Sequence, residues 1–220
     1  MNPISVGLTG SGTVGGGTWN VLLRNQEEIT RRAGRGIRIT KVADQDLARA
    51  KQLVGDKAAV TADAWEVVND PDIDIVVELI GGYGIARQLV MEAIEAGKHV
   101  VTANKALLAV HGTEIFAAAN RRGVMVAFEA AVAGGIPIIK ALREGLSANN
   151  IEWIAGIITG TTHFILSEMR DTGLAFEVAL SDAQRLGSAA ADPTFPLERV
   201  HAAPQAPTMS ATASPTPLHF

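Results

Sequence analysis

The residues of this chain whose types and spacing could do chemistry are a glycine triplet, a second glycine pair, two strand-end polar residues and a threonine pair. Gly10, Gly12 and Gly15 stand at G-x-G-x-x-G spacing in Val6-Gly7-Leu8-Thr9-Gly10-Ser11-Gly12-Thr13-Val14-Gly15, an apolar run that breaks into glycines and continues as an amphipathic segment. That order reads as strand, tight turn and helix, the arrangement that cradles a dinucleotide pyrophosphate. The first glycine permits the turn, and the second lets phosphate approach the backbone. The third lets the helix lie close to the strand, so that its first N–H groups, around Thr13 and Val14, face the phosphates with the positive end of the helix dipole. Asp44 closes a strand expected at 37–43. A carboxylate there accepts the adenosine ribose hydroxyls and repels a 2′-phosphate, which favours NAD over NADP; a plain loop aspartate is the alternative. Lys105 follows a strand at 99–102, on the sheet edge where ligands of open α/β proteins sit, and is either a catalytic ammonium or a surface charge. Gly81 and Gly82 end another apolar strand, and small residues there let a nicotinamide lie against the backbone. Thr161 or Thr162, at a helix start, either caps the helix or binds a substrate carboxylate.

The elements that must position these residues alternate along the chain. A helix over 14–32 is expected after the glycine turn, then a strand at 37–43, a helix at 46–53 and a short edge strand at Val60. Further strands are expected at 73–80, 99–102 and 124–130, separated by helices at 86–96 and 111–122. This alternation predicts an α/β protein with a Rossmann doubly wound parallel sheet. A small-residue crossover at 129–137 marks the exit from that sheet, giving a nucleotide-binding domain over 1–133 and an incomplete α+β substrate domain over 134–220. A helix from Pro137 to Leu146, a strand at 151–158 and helices at 164–170 and 176–186 are expected in the second.

Composition narrows the function classes. With 220 residues and 47% hydrophobic content, the chain can bury a core of the kind that parallel strands require. A net charge of −4 offers no electrostatic footprint for nucleic acid or an anionic membrane, so neither is expected as a partner. The absence of cysteine excludes disulfides and thiolate metal sites, which suits a reducing cytoplasm. No charged-then-apolar leader precedes the first strand, and no apolar run approaches the roughly 18 residues of a membrane span.

Taken together, these residues resemble the homoserine dehydrogenase family. The resemblance rests on Gly10-Ser11-Gly12-Thr13-Val14-Gly15, Thr102-Ala103-Asn104-Lys105-Ala106-Leu107 and the run from Phe128 to Pro137. It continues in Gly160-Thr161-Thr162-His163-Phe164-Ile165-Leu166, Ala183-Gln184-Arg185-Leu186-Gly187 and Ala191-Asp192-Pro193-Thr194-Phe195. It implies NADP- or NAD-dependent interconversion of L-aspartate 4-semialdehyde and L-homoserine, on the branch to threonine and methionine. It also implies Lys105 beside the reacting carbon, Thr161 near the substrate, and a sodium ion held by the backbone carbonyls of Glu129, Val132, Gly134 and Ile136. Full-length members are homo-oligomers, and their further strands and helices complete the substrate domain.

The likeness breaks down past Gly187. The family pattern places Glu, Asp, Gly, Asp and Lys where this chain has Ala190, Pro196, Arg199, His201 and Gln205. The missing lysine is the family's main candidate for the proton donor, and a glutamine carries no charge to replace it. Pro204 and Pro207 fall within a segment that should be a buried helix, where each costs about 3 kcal/mol. The chain as written is therefore expected to be severely impaired, with a divergent tail from about residue 200. Two rivals stand beside this reading: a non-catalytic dinucleotide-binding module, and another semialdehyde reductase sharing the Rossmann half.

Overall fold

The computed structural model describes residues 2–153 and 160–186, which divide into two compact units, one through Leu142 and one from Arg143. In the first unit β1 (Ile4–Thr9) leads to α1 (Thr13–Arg24) and α2 (Gln26–Ala33), then β2 (Ile37–Ala43), α3 (Leu47–Val54), β3 (Ala59–Thr61) and α4 (Ala64–Val68). The second half of the sheet follows as β4 (Ile75–Glu78), α5 (Ile85–Glu95), β5 (His99–Thr102), α6 (Lys105–Arg122) and β6 (Val126–Ala127). All strand pairs are parallel and the order is β3-β2-β1-β4-β5-β6, the doubly wound arrangement with its topological switch between β1 and β4.

The central strands β1 and β4 are buried continuously toward their C-terminal ends because helices cover both faces. Val76 and Val100 pack with Leu89, Ile94, Leu107 and Ile115 on one face. Val77 joins Val6, Leu8, Trp19, Ile39 and Val42 on the other. Gly7 is the tightest point of this packing, where an added Cβ would meet Val67 Cγ1 at 2.3 Å. No described helix is long and apolar enough to cross a membrane.

Several expected boundaries shift. The helix expected over 14–32 breaks at Asn25, whose φ of −106° and ψ of 23° end α1 and start α2. Trp19 anchors α1 in the core while α2 buries nothing, so the segment turns outward once its apolar face is spent. The expected strand at 124–130 pairs only over Val126 and Ala127, because the chain then tightens into a 3-10 turn at Glu129–Ala131. The Glu129 carboxylate accepts the amides of Ile139 and Lys140, both at 2.9 Å, and so caps the next turn, α7 (Ile138–Lys140). In place of a regular helix to Leu146, a π-helical turn spans Ala141–Gly145. α4 was not expected; Asp63 caps it by accepting the Trp65 amide at 2.9 Å, and Val67 and Val68 bury its inner side.

In the second unit, α8 (Gly160–Thr172) and α9 (Phe176–Arg185) pack around Ile165, Ala179 and Ala183. Ile151, Glu152 and Trp153 carry no regular element, and the remainder of the strand expected over 151–158 lies outside the described residues, as does the divergent tail.

Candidate functional site

Register lines up the C-terminal ends of four strands. Thr9 pairs with Ala43 on one side and Glu78 on the other, and Glu78 pairs with Thr102. The glycine turn, Asp44, the 79–82 loop and Lys105 therefore leave the sheet from one row.

The glycine turn is held from below. Gly10 adopts φ +92°, a conformation that a side chain resists, and its amide donates to the Ala43 carbonyl at 2.8 Å. A Cβ at Gly15 would stand 2.0 Å from the Gly10 carbonyl oxygen, so helix and turn touch backbone to backbone. Gly12, the residue before α1, has nothing within 4 Å of a would-be Cβ, and no side chain caps the helix. Thr13 and Val14 are exposed on the first turn. The N-terminal end of α1 is thus open, with its dipole and amides available to an anion.

Asp44 faces this turn. Its Oδ2 accepts both the amide and the hydroxyl of Ser11 at 2.6 Å, its Oδ1 accepts the Asp46 amide at 2.9 Å, and Arg49 Nη2 lies 3.1 Å from both oxygens. The side chain is only 8% exposed. A ribose hydroxyl would have to compete with donors already in place. Burial by itself would raise the Asp44 carboxyl. The hydrogen bonds from the Ser11 hydroxyl and amide, the Asp46 amide and Arg49 outweigh burial and hold it at about 2, against an ordinary 3.8.

A carboxyl lowered by folding adds stability above its unfolded value and loses it as pH falls toward its folded one. Asp44 accordingly contributes on the order of 2 kcal/mol that fades between about pH 4 and pH 2. Asp44→Asn is expected to flatten the pH dependence of the urea midpoint across that window. A variant that keeps the wild-type slope would place the acid sensitivity elsewhere.

Two strands away, Gly81 (φ +84°) and Gly82 (φ +68°) form an exposed ledge, with open space where side chains would stand. Beneath it, Glu78 is fully buried, and Oε1 accepts the amides of Ile80 at 3.0 Å and Gly81 at 3.2 Å. Asn104 caps α6 by accepting the Leu107 amide at 3.0 Å, and the exposed Lys105 is the first residue of that helix. Lys105 makes no hydrogen bond or ion pair among the described residues, so its ammonium is available to a ligand. Thr161 is half-buried in the first turn of α8, in the other compact unit.

The four carbonyls expected to hold a cation differ in how far they are already engaged. Val132 and Gly134 carbonyls accept no backbone hydrogen bond among the described residues, the Glu129 carbonyl accepts only a long 3.4 Å bond from Val132, and that of Ile136 accepts the Ile138 amide at 2.8 Å. Ala133 between them adopts φ +48°, an uncommon conformation for a residue with a Cβ. An all-oxygen set of this kind suits a hard cation.

Ser11, Glu78, Thr102 and Asn104 were not singled out from sequence. The available signals were a charged residue inside an apolar strand, at Glu78, and a capping residue before a helix, at Asn104.

Comparison with known proteins gives this geometry its context. A family profile described as homoserine dehydrogenase, NAD binding domain, matches residues 10–129, and one described as homoserine dehydrogenase matches residues 137–219. The chain belongs to the homoserine dehydrogenase family. It is 60% identical to the homoserine dehydrogenase of Pseudomonas aeruginosa across its whole length, and 56% identical to that of Neisseria gonorrhoeae. In each case it spans about half the relative's length, 50%. Among solved structures, a homoserine dehydrogenase from Thiobacillus denitrificans superimposes with a TM-score of 0.83 at 66% identity, covering 92% of this chain and 47% of that one. A hyperthermophilic archaeal homoserine dehydrogenase in complex with NADPH superimposes at 0.74 with 25% identity, covering 91% of this chain and 66% of that one. The second homoserine dehydrogenase match runs to residue 219, so the divergent tail still aligns with the family.

Proposed function

We propose that this chain supplies the dinucleotide half and part of the substrate half of a homoserine dehydrogenase, interconverting L-aspartate 4-semialdehyde and L-homoserine in threonine, methionine and isoleucine biosynthesis. The observation that carries the reading is the single row of strand ends from which the open glycine turn and Lys105 both emerge. The N-terminal end of α1, with Gly10, Gly12, Thr13, Val14 and Gly15, would hold the pyrophosphate of NADP or NAD. Asp44 would border the adenosine side and Gly81 the nicotinamide side. The archaeal relative's NADPH supports a nicotinamide cofactor for this chain.

When bound, the reduced nicotinamide supplies a hydride to the aldehyde carbon. The Lys105 ammonium would then stabilise the alkoxide that develops on oxygen and give it a proton. Thr161 would bind the amino-acid head of the substrate through its carboxylate. A sodium ion held by the carbonyls of Glu129, Val132, Gly134 and Ile136 would fix the crossover beyond β6. Assembly into a homo-oligomer in the cytoplasm completes the proposal for the full-length protein.

A second reading is favoured by Ala190, His201 and Gln205, which leave the chain as a binding module without turnover. The two separate in one experiment. NADPH and NADH oxidation with aspartate semialdehyde is measured on this chain and on Ala190→Glu, His201→Asp, Gln205→Lys, alongside cofactor titrations. Cofactor binding in both, with turnover regained in the triple variant, is expected. A folded chain that binds neither dinucleotide refutes both readings. Binding without turnover in either protein leaves the module.

A further inference from the structure

We propose that Glu78 is a positioning residue, whose buried carboxylate locks the Gly81–Gly82 ledge to the helix end that presents Lys105. The inference rests on the dinucleotide reading of the site and extends it to a residue that neither touches cofactor nor substrate. Glu78 is 0% exposed, on a strand otherwise made of Ile75, Val76 and Val77. A carboxylate in that setting is costly unless hydrogen bonds replace its water, and no cation pairs with it among the described residues.

Three donors do so. Oε1 takes the amides of Ile80 and Gly81, which belong to no helix or strand, and Oε2 takes the Thr102 hydroxyl at 2.7 Å. Thr102 Oγ1 in turn accepts the Asn104 amide at 3.0 Å. Asn104 closes the circuit by donating its side-chain amide to the Gly82 carbonyl at 2.5 Å. Glu78, Gly81, Gly82, Asn104 and Thr102 thus form a ring of hydrogen bonds between the β4 loop and the start of α6. Lys105 is the next residue in the chain. An apolar residue would fill the same space without cost to burial, but it would free both sides of the ring.

The ring lies under the nicotinamide side and away from the glycine turn, so its loss should affect one half of the ligand. The test measures Kd for NADPH and for 2′,5′-ADP, a fragment lacking the nicotinamide, on wild type, Glu78→Leu, Glu78→Gln and Thr102→Val. Enhancement of reduced-nicotinamide fluorescence on binding reports the environment of the ring itself. In Glu78→Leu, NADPH is expected to bind at least tenfold more weakly with a loss of the enhancement, while the fragment binds within twofold of wild type. Glu78→Gln keeps an acceptor for the loop amides and should recover most of the NADPH affinity. Thr102→Val cuts the ring from its other side and should show the same split, including where Glu78→Leu does not fold. Parallel weakening of dinucleotide and fragment would make Glu78 a general support of the fold and overturn the proposal, as would no change in either. A folded wild type that binds neither NADPH nor NADH would sink the dinucleotide reading, and this inference with it; if only NADH binds, the same split is read with NADH against AMP.

Discussion

Gly15→Ala is expected to abolish measurable dinucleotide binding and to lower the unfolding temperature by about 5 °C or more. The added Cβ would stand 2.0 Å from the Gly10 carbonyl oxygen and 3.0 Å from its carbon. Both are backbone atoms of a turn already fixed by the Gly10 amide on Ala43, so the clash has no flexible side chain to absorb it. Either α1 moves off β1 or the turn opens, at a cost typical of overpacking, about 1–3 kcal/mol or more. Each route displaces the amides that would face a pyrophosphate. Gly12→Ala is the matched control in stability, because its Cβ would enter open space. That variant should unfold at the wild-type temperature yet bind dinucleotide more weakly, since the methyl occupies the path of the phosphates. Thermal unfolding and NADPH titration on the two proteins distinguish a damaged fold from a blocked site. Equal affinity in Gly15→Ala and wild type would mean that the turn is not where the cofactor binds.

Lys105→Met carries the largest expected effect on turnover. The ammonium stands exposed at the first position of α6 and makes no bond to the described residues, so stability should stay within about 0.5 kcal/mol. Cofactor affinity should change by no more than several-fold. Loss of a positioned ammonium that meets the developing alkoxide should cost about 1000-fold in kcat. The measurement is made in the Ala190→Glu, His201→Asp, Gln205→Lys background if turnover of the parent is too slow to follow. Retention of more than a tenth of the rate would assign the stabilisation of the alkoxide to another group.

The sheet was legible because its signals are local and redundant. Ile37–Ala43, with apolar Ile37 and Ile39 alternating with Arg38 and Thr40 before Val42 and Ala43, and His99–Thr102, with two valines between polar ends, each appear with the expected bounds. The glycine spacing also announced its own geometry, since positive φ at Gly10 and the contact at Gly15 are what that spacing serves. Asn25 was hidden because apolar residues continue past it as far as Ile29, and periodicity alone does not register that the second helix buries nothing. β6 shortened because a carboxylate, Glu129, folds forward onto amides ten and eleven residues away. The partnership of Ser11 with Asp44 spans 33 residues, and no pattern along one strand encodes it. Glu78 was visible as a charge in an apolar run, but its three donors come from a loop and a neighbouring strand that only the folded sheet brings near.

Those separations also bear on how the molecule reaches its working form. The turn is pinned by contacts 33 residues apart and the ledge by contacts 24 apart, so neither exists until β1, β2, β4 and β5 have found one another. Contacts of this span form only once the closure entropy of the intervening crossovers is overcome. A nucleotide that engages this surface meets only fully assembled chains. At about a hundred times its Kd it would draw the population toward them by about 2.7 kcal/mol, so the proposed cofactor would also stabilise the fold.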